Sequence, residues 1–250
     1  MVFRSLESLG QVGGHDVFLL TPDVLDAAKP NLLTAGGFHG EEPAGPWGIL
    51  EYLETATKEE IYGVNHSFLP LVNPTGFAAA TRLNVFGENP NRGFVAEFLE
   101  PKPEDIYGNK EGPSVEGQML MAHIDRILVL AKDGFVTQHE DDGLHQGFVF
   151  VNEDAPQPSP FAKAFLTELE KYVGIIKDGG DHTLIDDNIK NGVWHNDFDG
   201  AFEGLLTSKG IPRTATTETP CHQPAKARVD CNRDMTRAFV AFYIRSNMTA

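Results

Sequence analysis

Cysteine is scarce. The 250-residue chain has two, Cys221 and Cys231. A chain of this size does not need a disulfide between them, and the paired His/Cys spacings of zinc fingers are missing. Long apolar runs are missing too. Nothing approaches the roughly 18 consecutive apolar residues of a membrane span. The stretch MVFRSLESLGQVGGHDVFLL has Glu7 and several glycines where a secretory signal needs an apolar core. The expectation is a cytoplasmic protein. Cations are the third shortage: 20 Lys and Arg stand against 36 Asp and Glu, a formal net charge of −16. Phosphate backbones need a basic surface, so this balance argues against nucleic acid as a partner, and it disfavours anionic membranes. No internal repeat, heptad or low-complexity tract is present, and no linker-like break divides residues 1–250, which read as a single domain.

Strand-like and helix-like segments alternate. HDVFLL (15–20) and NLLTAGG (31–37) read as strands. A helix starts at Pro43, with Trp47, Ile49, Leu50 and Leu53 along one face. HSFLPLV (66–72) is the next strand, and residues 73–94 form a long loop rich in Asn, Pro and Gly. Ser114 reads as the N-cap of a helix reaching about residue 131. GFVTQH (134–139) and GFVFV (147–151) are strands. Ser159 followed by Pro160 is a strong helix start. Residues 174–212 yield no clear element, RTATTE (213–218) is a strand, and 226–246 is a closing helix. Such alternation implies an α/β fold with helices on both faces of a sheet. Sites in open α/β sheets lie beyond the carboxyl ends of strands. His39, His139 and Glu218 each stand at or just past the end of an expected strand, and Asn91 and Arg92 lie in the loop after another.

The stretch GGFHGEEPAG (36–45) carries two readings. One is a strand-to-helix turn with carboxylates favoured by the helix dipole. The other is a pair of metal ligands, His39 and Glu42, with a third supplied from elsewhere. His139 is the leading candidate for that third ligand, ahead of His145 and His123. Zinc takes nitrogen and oxygen ligands, and a catalytic site keeps one position open. Glu41 reads as a solvated neighbour, and Glu140, Asp141 and Asp142 as a solvated acidic loop.

Five segments occur in order: FHGEEPAG, NPTGF, TRLNVFGENPNRGF, TQHED and TTETP. Together they resemble the zinc carboxypeptidases of the M14 type, above all bacterial members acting on small peptides, including murein peptide amidases. The resemblance spans about residues 31–220. It implies a single-domain, mixed and mostly parallel sheet of about eight strands flanked by helices. It also implies one zinc ion held by His39, Glu42 and His139. Glu218 would be the general base that deprotonates the attacking water and passes the proton to the leaving amine. Arg82 would stabilise the oxyanion, and Asn91 and Arg92 would hold the substrate's terminal carboxylate. The implied substrate is a small peptide cleaved next to a free carboxylate. An N-acyl amino acid is the alternative, as in the related aspartoacylase and succinylglutamate desuccinylase enzymes, and a non-catalytic relative that binds metal or peptide is another.

Two positions depart from the family pattern. Asn89 stands where the family often has an Asp that orients a ligand His. The family's mobile Tyr has no counterpart, and Trp194, His195 or Phe198 are the residues left to cover the site.

Overall fold

The computed structural model describes residues 4–94, 109, 112–178, 189–196 and 200–248. Eight strands form one sheet: β1 (Arg4–Val12), β2 (His15–Pro22), β3 (Asn31–Gly36), β4 (Asn65–Leu69), β5 (Gly134–Asp141), β6 (Phe148–Glu153), β7 (Val193–His195) and β8 (Arg213–Pro220). Their order is β1-β2-β4-β3-β5-β8-β6-β7. The central four, β4, β3, β5 and β8, are parallel, so their carboxyl ends share one edge. β1, β2 and β6 join by antiparallel pairing, and β7 runs parallel to β6. The mixed α/β sheet is therefore parallel in its centre and antiparallel toward its edges.

The central strands are apolar on both faces, as a covered parallel sheet requires. Successive residues of β3 and β5 split between two cores: Leu32 and Val136 face one, Leu33 and Phe135 the other. The first core packs under α1 (Ala44–Thr55), α6 (Pro160–Tyr172) and α8 (Ala225–Met248), through Ile49, Phe165 and Phe239 among others. The second packs under α4 (Val115–Ala122), α5 (Ile124–Leu130) and α7 (Phe202–Ser208), through Leu120, Ile127 and Phe202.

The capping residues act as the sequence predicts. The Ser114 hydroxyl accepts from the Gly117 amide at 3.1 Å, and that of Ser159 from the Ala162 amide at 3.0 Å. Other features differ. The helix expected from 114 to about 131 breaks at His123 into α4 and α5. The loop after β4 contains α3 (Pro74–Ala79), which starts where the Asn73 side chain accepts from the Gly76 amide at 2.8 Å. α2 (Lys58–Gly63), β1, β7 and α7 give too short or too weak a period to be read from sequence. Both cysteines are free, and no described helix is long and apolar enough to cross a membrane.

Candidate active site

The chain leaves β3 for β4 on one side and returns to β5 on the other. The crevice between the carboxyl ends of β3 and β5 is the switch point where ligands sit in open α/β sheets. His39 lies just past β3, and His139 lies within β5. Two glycines shape the turn between β3 and α1. Gly37 has φ +64°, a region an L side chain rarely adopts. A Cβ on Gly40 would collide with the backbone of Gly76 and Phe77 at α3. The Gly40 amide also donates to the Thr81 carbonyl at 3.0 Å, which holds the Arg82 loop against the turn.

His39, Glu42 and His139 converge, all three buried. Glu42 lies between the imidazoles, with Oε1 2.7 Å from His39 Nδ1 and Oε2 2.7 Å from His139 Nδ1. One ligand atom from each residue lies within 4.8 Å of the others. The Asn89 Oδ1 is 3.1 Å from His39 Nε2 and also accepts from the Asn91 amide at 3.0 Å. With Nε2–H donated to Asn89, the Nδ1 lone pair of His39 faces a carboxylate oxygen, and that arrangement calls for positive charge between them. The donor set of two imidazoles and a carboxylate therefore fits a divalent cation.

The charge states follow from these contacts. Burial holds His39 down to about 4, with Glu42 pulling the other way. Burial also opposes charge on His139, but Glu42, with Glu218 and Glu203 behind it, lifts that imidazole to about 9. Burial favours neutral Glu42, yet the two imidazoles hold its carboxyl well below the usual range. Glu218 moves the opposite way. Its burial raises it, His139 counteracts, and Glu42 and Asp141 add to the rise. The two carboxyl groups are thus pushed in opposite directions within one site.

A cavity of about 560 Å³ opens beside this cluster, lined by Arg82, Asn91, Arg92, Glu203 and Glu218 among others. His139 and Glu218 are register partners on parallel strands, so their side chains share a face. Arg82 Nη1 lies 3.1 Å from Glu42 Oε1 and 3.4 Å from Glu41 Oε1. Arg92 Nη1 donates to the Asn91 carbonyl at 2.8 Å. All seven residues picked from the sequence thus line one cavity.

No protein-family model and no curated protein matches the sequence. Solved structures do match. A candidate metallopeptidase from Shewanella baltica OS155 is 38% identical, with a TM-score of 0.85 over 96% of this chain and 86% of that one. Another, from Shewanella amazonensis SB2B, is 37% identical, with a TM-score of 0.85 over 96% of this chain and 87% of that one. The chain belongs to the M14-type metallopeptidase family. The murein-tripeptide amidase MpaA from Escherichia coli O157 shares the family fold at 17% identity, with a TM-score of 0.63 over 94% of this chain and 91% of that one.

Other residues around this cavity depart from the sequence reading. Glu140 is buried, not solvated. β5 continues through Asp141, so strand alternation turns Glu140 to the face opposite His139. There its Oε2 accepts from the Ala44 amide at 2.7 Å, and its Oε1 pairs with Arg228 of α8. The carboxylate at the start of α1 is thus Glu140, and Glu42 turns to the imidazoles instead. Asp141 is half-buried, and its Oδ1 accepts from the Gly143 and Leu144 amides. Glu203, buried in α7, was not singled out from sequence. The only signal for it is a lone carboxylate in the small and apolar run GAFEGLL (200–206). Trp194 packs against Phe150 at a tilt, with ring centroids 5.1 Å apart, and His195 contacts the Glu153 carbonyl. Phe198 lies outside the described residues.

Proposed function

We propose that the protein is a zinc-dependent metallocarboxypeptidase that hydrolyses the amide bond next to a free carboxylate of a small peptide. Residues 1–250 are read as one catalytic domain, supported by the one sheet among the described residues, at whose edge the candidate site residues gather. The observation that carries the proposal is the convergence of His39, Glu42 and His139 within 4.8 Å beside a cavity shared with Glu218.

His39, Glu42 and His139 would hold one Zn²⁺. When bound, zinc lowers the pKa of a water to about 7 and polarises a carbonyl. Glu218, the register partner of His139 on the same face of the sheet, would take the proton of the attacking water and return it to the leaving amine. Arg82 supplies positive charge where the carbonyl oxygen gains negative charge. Arg92 offers a planar fork to the terminal carboxylate. Asn91 accepts from the Phe202 amide at 3.0 Å and donates one amide hydrogen to Glu203. Its second amide hydrogen is left for that carboxylate.

The test is the zinc-loaded protein against dipeptides, murein peptides and N-acyl amino acids. Free carboxyl-terminal residue from peptides, with N-acyl amino acids left intact, is the expected result. Release from N-acyl amino acids alone would overturn the peptidase assignment.

A further inference from the structure

We propose that Glu203 is a positioning residue that couples the grip on the substrate carboxylate to the metal ligand His139. This rests on the roles proposed above for Asn91 and His139. Glu203 is 3% exposed. A carboxylate so deeply placed is costly unless its oxygens are engaged. Oε2 accepts from Asn91 Nδ2 at 3.3 Å, and Oε1 accepts from the Thr137 hydroxyl. Oε1 also lies 3.8 Å from His139 Nε2, an ion-pair distance.

Two consequences follow. The first turn of α7 holds Asn91 at both ends of its amide: the Phe202 N–H donates to Oδ1, and Glu203 accepts from Nδ2. The amide is thereby fixed with its remaining N–H free for the cavity. On the other side, His139 directs Nδ1 to Glu42, so with a metal ion at Nδ1 the remaining ring proton would sit on Nε2. That nitrogen is buried and makes no hydrogen bond among the described residues. The negative charge of Glu203 faces it. A carboxylate beside the outer nitrogen of a ligand imidazole fixes the tautomer and makes the ring a stronger donor to the metal. The Asn91 contact needs only an oxygen acceptor, whereas the His139 contact needs the charge.

Glu203→Gln and Glu203→Ala separate these two demands in the full-length chain. Zinc affinity is read by competition with a chromophoric chelator, and KM with a dipeptide. Both variants should bind zinc about 10–100-fold more weakly than wild type. Ala should raise KM several-fold more than Gln, because Gln keeps an oxygen for Asn91. If the Ala variant does not fold, the zinc affinity of the Gln variant decides alone. Zinc affinity equal to wild type in the folded variants would overturn the inference. So would a change confined to the preference between cationic and neutral terminal side chains. A wild-type chain that binds no zinc would overturn the proposed function and this inference with it. Tight zinc binding by wild type and variants alike would overturn this inference only.

Discussion

At the scale of single residues, the site depends on which atom of each imidazole faces the centre. Asn89 sets this for His39 by accepting from Nε2 at 3.1 Å, with the neutral amide where the family often has a charged carboxylate. Asn89→Ala should weaken zinc binding by about 10–100-fold in a chelator competition. Asn89→Asp should tighten it, because a charged acceptor strengthens the imidazole as a donor. Two pairs of the candidate residues could be picked out from sequence because their spacing is local. His39 and Glu42 share one turn, and Asn91 and Arg92 are adjacent. Glu140 and Glu203 were not legible. Their roles depend on partners far along the chain, Ala44 and Arg228 for one and Asn91 and Thr137 for the other.

At the scale of elements, α1 has no side-chain cap of its own and no acid in its first turn. Glu140 on β5 supplies the missing acceptor, and Arg228 on α8 balances its charge. The same residue's amide donates to Glu42 Oε2 at 3.3 Å, so the helix start and Glu42 share one support. Glu140→Gln leaves Arg228 without its counter-ion in a mostly buried place, and should cost about 3 kcal/mol in urea unfolding. The packing of α6 on α8 makes a second prediction. Burial would raise the Asp234 carboxyl, but hydrogen bonds from Arg233, Tyr172 and Lys171 hold it well below the usual range. A depressed carboxyl stabilises the fold above its unfolded pKa of about 4 and loses that effect as the pH falls. Asp234→Asn should therefore cost about 1–3 kcal/mol at pH 7, with the gap to wild type narrowing in melts at pH 3. The strands and capped helices were readable from local patterns. The split at His123 and the short α7 were not, because tertiary packing on β1, β3 and β8 holds elements too short to stand alone.

At the scale of the whole molecule, parallel central strands bring the candidate ligands His39, just past β3, and His139, on β5, to one edge with Glu218 of β8. Zinc held there ties the turn after β3 to β5, so binding should stabilise the fold. At a free concentration 100-fold above Kd the gain is about 2.7 kcal/mol, which raises the Tm of a chain this long by about 5–10 °C. His39→Ala should abolish that rise in a thermal melt with and without zinc. The excess of acid over base fits this picture without demanding it. Seven carboxylates line the cavity, and Glu116 and Glu153 are buried away from it. The most direct measurement of the central claim is turnover of a dipeptide by zinc-loaded Glu218→Gln, with the metal content determined on the same sample. One zinc per chain and a turnover at least about a thousandfold below wild type is the predicted result. Turnover equal to wild type would contradict Glu218 as the group that moves the proton.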